Sequence, residues 1–172
     1  EFVTAPVECC ARVDHLGLSL DEAALCQPMS IAVHNIRRVG SVEGETVLLQ
    51  GAGGIGAFLV YALTQLGARV IATDLNVNRL RIASELGAAS TVPLAGNAHD
   101  QEAIRAAIGE EPVRIFFEVS GSRAGLASTL DLAPKGAKIV LVGIQHEPVS
   151  VDLGRLTLME QSLLGTNALV RE

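Results

Sequence analysis

Tryptophan is absent and only 3% of the residues are aromatic, so no surface of stacked rings is available to hold unpaired bases. The 13 lysines and arginines face 19 aspartates and glutamates, giving a net charge of −6. The basic residues are scattered rather than gathered into a stripe, so neither nucleic acid nor an anionic membrane is an expected partner. Apolar runs break off well short of a bilayer's thickness. No leader-like segment is visible, and the expected location is the cytoplasm. Cysteine is scarce: Cys9, Cys10 and Cys26 are odd in number, two of them adjacent, and include no Cys-x-x-Cys pair for a zinc knuckle. His15, His34, His99 and His146 share no i, i+4 ligand spacing. No serine sits in a nucleophile elbow, and no nucleophile has a base beside it. No residue therefore reads as a catalyst or as part of a metal site.

What the chain does have is regular alternation. Its 172 residues, 49% of them hydrophobic, suit one domain with a sizeable core. Residues 1–20 read as extended segments and loops, broken by Pro6, Gly17 and Ser19. Ser19 and Glu22 have capping-box spacing, and a helical pattern follows from about Asp21 to Arg38, with a bend expected at Pro28 and a stop at Gly40. Strands are then expected at Thr46–Gln50, Arg69–Thr73, Ser90–Pro93, Arg114–Val119, Lys138–Val142 and Ser162–Thr166. Between them lie helical patterns at Ile55–Leu66, Val77–Leu86, Ala98–Ile108, Arg123–Leu132 and Leu153–Gln161. Several strand runs are apolar throughout, as in parallel strands covered on both faces. The expected fold is an α/β, doubly wound, six-stranded parallel sheet, with its ligand crevice at the carboxyl ends of the strands.

The stretch "TVLLQGAGGIGAFLVYALTQLGARVIATDLNVNRL" gives that crevice a chemistry. Gly51, Gly53 and Gly56 form G-x-G-x-x-G, with Gly54 as an extra, after an expected strand and at the opening of an expected helix. Gly51 allows a tight turn, Gly53 lets a pyrophosphate approach the backbone, and Gly56 lets the helix lie close to the strand. The free N–H groups around Ile55, at the positive end of the helix dipole, then face the phosphates. Asp74 ends the second strand near the offset expected for the acid that holds an adenosine ribose. Its carboxylate can accept both ribose hydroxyls and would repel a 2′-phosphate, which favours NAD over NADP. The competing reading makes Asp74 the N-cap of the next helix. Glu118, ending the fourth strand, either faces the crevice or caps a helix.

With these residues in hand, the chain resembles the coenzyme-binding domain of the zinc-type medium-chain alcohol and polyol dehydrogenases. "LSLDEAALCQPMSIAVHNIRRVG" is similar to that family's connecting helix, and "GETVLLQGAGGIG" to its first strand and nucleotide turn. "VIATDLNVNRLRIASELGA", "FFEVSG", "GAKIVLVGI" and "LLGTNA" resemble the strands that follow. The resemblance implies that Gly51, Gly53, Gly54, Ile55 and Gly56 hold the pyrophosphate and that Asp74 and Arg79 form the ribose site. Val119 and Ser120 then wall the adenine, and Val142, Gly143, Ile144, Thr166 and Ala168 match the carboxamide site.

It also implies a division of the chain. Residues 1–20 lead from a catalytic domain that is missing, and residues 21–172 form the NAD-binding domain with its connecting helix. The parent enzyme would carry zinc and move a hydride between a small alcohol or ketone and NAD(H), while this fragment alone is expected to be inactive. The remaining metal-linked position falls on Cys26, counting back from Gly51, or on Gln27, aligning on Ser30. The alternatives are a non-catalytic nucleotide-binding module and the coenzyme domain of a zinc-free quinone or enoyl-type reductase. Finally, Val149, Val151 and Leu153 alternate with Ser150 and Asp152. The segment reads as an edge strand through which a homodimer forms, as in the resembled family.

Overall fold

The six apolar runs pair side by side in the order β3-β2-β1-β4-β5-β6, every pair parallel. The strands are β1 (Thr46–Gln50), β2 (Arg69–Asp74), β3 (Ser90–Pro93), β4 (Ile115–Glu118), β5 (Lys138–Leu141) and β6 (Ser162–Gly165). The structure, a computed structural model, describes residues 3–110 and 112–167. Ala168 lies outside the described residues. The helices are α1 (Leu20–Ala24), α2 (Cys26–Arg37), α3 (Gly54–Gln65), α4 (Val77–Glu85), α5 (Asp100–Ile108), α6 (Arg123–Leu132) and α7 (Leu153–Leu158). The strand order reverses between β1 and β4. That opens a crevice where the first crossover leaves one face of the sheet and the later ones return on the other.

Each central strand buries both its faces. Leu49 and Phe117 belong to one apolar cluster with Ile36, Leu59, Leu63 and Leu80 of α2, α3 and α4. Leu48 and Phe116 belong to the other, with Ile104 of α5 and Leu132 of α6. Neighbouring residues on one strand thus serve opposite cores, which explains the unbroken apolar runs. Among the described residues, no helix is long and apolar enough to cross a membrane.

Several element ends shift by a few residues: α7 stops at Leu158 rather than Gln161, and β4, β5 and β6 are shorter than expected. Besides these shifts, the structure departs from the sequence expectation at four places, and a local contact accounts for three. Instead of one bent helix from Asp21 to Arg38, α1 and α2 are separated at Leu25. Pro28 has no N–H, and its ring crowds the carbonyl of Ala24, so the break falls a turn upstream. Pro28 then sits in the first turn of α2, where a missing donor costs little. The expected capping box is present: Glu22 Oε2 accepts the Ser19 N–H at 2.8 Å, and Ser19 Oγ accepts the Glu22 N–H at 3.2 Å. Helix α5 starts at Asp100 rather than Ala98. The Asp100 carboxylate accepts the N–H groups of Ala95 and Gly96 at 2.8 Å and of Asn97 at 3.2 Å, holding those residues in a turn.

The segment Val149–Leu153 forms no strand among the described residues. Asp152 instead caps α7, its Oδ1 accepting the Arg155 N–H at 2.9 Å, and Leu153 is the first helical residue. The outer strand is β6, which pairs only with β5. Within residues 1–20, short 3-10 turns at Val7–Cys9 and Asp14–Leu16 interrupt the expected extended chain.

Because both faces of β4 are covered, Phe116→Ala and Phe117→Ala should each lower unfolding free energy by about 3–5 kcal/mol. Urea denaturation of the two variants checks this. A cost below about 1 kcal/mol for either would mean that one face of the sheet is open to solvent.

Candidate functional site

Strand β1 runs apolar to Gln50 and then turns at once. Gly51 has φ +102°, and a Cβ there would lie 2.7 Å from the Ser120 nitrogen. Only glycine allows both the backbone conformation and the close approach. A Cβ on Gly56 would overlap the carbonyl oxygen of Gly51, so the first turn of α3 seats directly on the glycine turn. Gly53 differs from both. The nearest atom to a Cβ there is Arg79 Nη1 at 3.9 Å, and its backbone needs no positive φ. Its lack of a side chain leaves open space in front of the helix.

No side chain caps α3, and the first bond of the helix runs from the Ala57 N–H to the Gly53 carbonyl at 2.8 Å. The N–H groups of Gly53, Gly54, Ile55 and Gly56 find no acceptor among the described residues. Unpaired donors at the positive end of a 12-residue helix form an anion-receptive terminus.

Asp74 faces that terminus from the end of β2 and is only 7% exposed. Its Oδ2 accepts the Ala52 N–H at 2.8 Å, and its Oδ1 accepts the Asn76 N–H at 2.8 Å. Asn76, not Asp74, caps α4, its Oδ1 accepting the Asn78 N–H at 2.9 Å. The capping alternative for Asp74 is thereby removed. Arg79 Nη1 lies 3.7 Å from Asp74 Oδ2, so the guanidinium hangs over both the carboxylate and the open side of Gly53.

Glu118 is the second carboxylate at this edge and has no exposed surface. It neither faces open solvent nor caps α6. That cap is Ser122, whose Oγ accepts the Gly125 N–H at 3.0 Å. Glu118 instead gathers the turn after β4, accepting the Ser120 N–H at 3.0 Å, the Gly121 N–H at 3.3 Å and the Ser120 hydroxyl. Burial pushes its carboxyl above the usual range, while the bonds from Ser120 and Gly121 partly oppose that rise.

A cavity of about 1040 Å³ opens between these groups at the carboxyl ends of the strands. Gly51, Gly53, Asp74, Arg79, Val119 and Ser120 all line it, while Gly54, Ile55 and Gly56 stand in the first turn of α3 beside it. Val142, Gly143 and Ile144 follow β5, and Thr166 follows β6, farther along the same edge and outside the cavity lining. Gly143 and Gly121 abut so closely that a Cβ on either would collide with the other turn. The turns after β4 and β5 therefore form one surface.

Sequence patterns assign no site role to Gln50, Ser122, Ser128 or, in the loop after β3, Leu94, Gly96 and Asn97, all of which line the cavity. One signal was available for Gln50: a lone amide ending the apolar run Thr-Val-Leu-Leu-Gln. Among the described residues, no group of three or more His, Cys, Asp or Glu side chains is placed to hold a metal ion. Cys26 is a free, half-buried thiol at the start of α2, and Gln27 beside it is exposed.

The family model for zinc-binding dehydrogenases matches residues 54–171. The chain belongs to the zinc-binding dehydrogenase family. A sorbitol dehydrogenase of Arabidopsis thaliana is 30% identical over 168 residues, covering 95% of this chain and 46% of that protein. The chain thus spans less than half the length of this dehydrogenase relative. Two solved dehydrogenase structures share the fold. One is a putative zinc-binding dehydrogenase of Sinorhizobium meliloti 1021 bound to NADP, with TM-score 0.77, 28% identity, 85% of this chain and 44% of that chain. The other is a short chain alcohol dehydrogenase of Escherichia coli CFT073 complexed with NADH, with TM-score 0.78, 25% identity, 88% of this chain and 45% of that chain.

The raised carboxyl of Glu118 has a measurable consequence. A carboxyl whose folded pKa exceeds its unfolded value binds its proton more readily in the native state. Its contribution to stability is full below the unfolded value and is lost as pH rises through the folded one. The stability of the wild type relative to Glu118→Gln should therefore fall as pH rises above the ordinary glutamate value of about 4.3 in paired urea titrations. A difference that stays constant or grows with pH would contradict the assignment.

Proposed function

We propose that residues 21–172 are the NAD-binding domain of a zinc-dependent alcohol or polyol dehydrogenase, with residues 1–20 leading in from its catalytic domain. The observation that carries the choice of coenzyme is Asp74, a nearly buried carboxylate tied to the glycine turn through the Ala52 N–H. Each of its oxygens accepts one protein N–H and keeps lone-pair capacity for a ribose hydroxyl. A 2′-phosphate in the same place would meet a fixed negative charge in a poorly hydrated site, with Arg79 the single cation lining the cavity among the described residues. NAD is therefore the better partner than NADP.

The site fits a dinucleotide on its own residues. Open space at Gly53 and the unpaired N–H groups of Gly53 to Gly56 suit a pyrophosphate. Asp74 and Arg79 serve the ribose, and Val119 and Ser120 wall the base. Val142, Gly143, Ile144, Thr166 and Ala168 serve the far end of the coenzyme. When bound, the nicotinamide supplies hydride transfer, while this chain orients it and supplies no acid, base or nucleophile. A zinc ion in the whole enzyme would draw its ligands mostly from outside this chain. The substrate is a small alcohol or the corresponding ketone, and the chain alone does not turn it over.

Calorimetric titration of the 172-residue chain with NADH should show saturable binding. Gly53→Val should weaken it at least about tenfold, roughly 1.4 kcal/mol, without a comparable loss of stability, because the position is open in the protein. Asp74→Ala should cost about 1.5–3 kcal/mol of NADH affinity and narrow the gap to NADPH. Unaltered affinity in Gly53→Val would reduce the glycine turn to a structural device.

The sequence expectation of a homodimer through Val149–Leu153 loses its edge strand, and the proposed contact is instead the outer side of β6, which among the described residues pairs only with β5. Light scattering should give twice the mass of the chain. A monomer at every concentration up to about millimolar would place any dimer contact elsewhere in the whole protein.

A further inference from the structure

One loop at the carboxyl edge is held by a residue that its own helix does not favour. Arg123 is the first residue of α6, and no acidic side chain stands in that first turn. A cation at the positive end of a helix dipole is locally unfavourable. A residue that breaks a local rule is commonly kept for a contact elsewhere. Here the guanidinium reaches out of the helix. Arg123 Nη2 donates to Glu147 Oε2 at 2.8 Å and to the Pro148 carbonyl at 3.3 Å. Both acceptors belong to the loop that follows β5, and both charged side chains are exposed.

That loop has few other polar ties. The N–H groups of Val142 and Gly143 both reach the Glu118 carbonyl at 2.9 Å, and Gly143 abuts Gly121, so its first residues are pinned. From Ile144 to Val151 no N–H finds a backbone acceptor among the described residues. The hydrogen bonds of this stretch are the two from Arg123 and a long one, 3.4 Å, from Gln145 Nε2 to the Ser122 carbonyl. All three fasten it to the start of α6. Ile144 stands between the pinned and the latched parts, and it is 73% exposed.

The strand order places Asp74, at the end of β2, and the loop after β5 on opposite sides of the glycine turn after β1. A dinucleotide with one ribose at Asp74 and its pyrophosphate at α3 extends its other half past β4 toward β5. We propose that Arg123 is a positioning residue for that half: by clasping Glu147 and the Pro148 carbonyl, it holds Ile144 against the nicotinamide end of the coenzyme. Arg123 itself does not line the cavity, so it acts through the loop. The inference rests on the coenzyme reading above and adds a residue that serves only one half of the ligand.

ADP-ribose separates the two halves. It carries the same charge as NADH and shares its adenosine and pyrophosphate, but lacks the nicotinamide. Both are titrated calorimetrically against the wild type, Arg123→Ala, Glu147→Ala and the double variant, with thermal unfolding as a check on folding. The wild type should bind NADH more tightly than ADP-ribose. Arg123→Ala should weaken NADH roughly three- to fivefold, the upper range for an exposed ion pair, and leave ADP-ribose within about 1.5-fold. Glu147→Ala should lower the preference for NADH in the same direction. The double variant should lose no more of that preference than Arg123→Ala, because both changes open one latch. Equal weakening of both ligands would make Arg123 a general cation or a packing residue. No weakening of either, or losses that add in the double variant, would make the latch idle. Each of these results overturns the proposal, as does equal affinity of the wild type for the two ligands, and all leave the coenzyme reading intact. Failure of the wild type to bind either ligand would instead strike at the coenzyme reading itself, and the proposal would fall with it.

Discussion

The Asp74 carboxylate accepts the Ala52 N–H at 2.8 Å across the carboxyl ends of β1 and β2. This bond fixes the glycine turn relative to the neighbouring strand, and much of the site's geometry follows from it. Gly51 must turn sharply to bring Ala52 within reach, and its N–H is held by the Thr73 carbonyl at 2.8 Å. With the turn anchored, α3 leaves at one angle and its unpaired N–H groups face the cavity. The same carboxylate holds the Asn76 N–H, so the start of α4 and the position of Arg79 depend on it as well. A single buried carboxylate thus ties the glycine turn before α3 to the start of α4.

The charges at this edge oppose one another in an ordered way. The proposed ligand, a dinucleotide, is anionic, the chain carries a net charge of −6, and Asp74 and Asp100 line the cavity, with Glu118 buried behind it. Asp74 keeps two backbone N–H groups and a nearby guanidinium. Glu118 is sealed beneath the turn after β4, where burial favours its protonated form. Asp74 lines the cavity beside the glycine turn, and in the proposed reading it stands at the ribose position rather than at the pyrophosphate. In the proposed reading the phosphate position is left to backbone donors and the dipole of α3.

Much of the fold was legible in the sequence, because strand and helix patterns repeat with short glycine-terminated links. β1, β3 and α6 fall on their expected bounds. Three of the misreadings share a cause: a side-chain cap or a proline overrides a hydrophobic period locally. Asp152 turns an alternating stretch into the start of α7, Asp100 delays α5, and Pro28 moves a break to Leu25. The site was legible where glycine spacing and a strand-end acid define it. It was not legible where several elements meet. Gln50, Ser122, Ser128 and the loop after β3 converge only through the packing of α5 and α6, which no local pattern encodes. Glu118 was noticed, but its role as an internal acceptor for the Ser120 turn needed coordinates.

The central claim is that the N-terminus of α3, framed by Asp74, receives a pyrophosphate. Backbone amide NMR of the chain during NADH titration tests it most directly. The account predicts that the amides of Ala52, Gly53, Gly54, Ile55 and Gly56 shift together on one saturation curve. Gly44 and Gly136, at the opposite end of the sheet, should stay still. Shifts concentrated at that opposite end, or unmoved amides from Ala52 to Gly56 at saturating NADH, would contradict it.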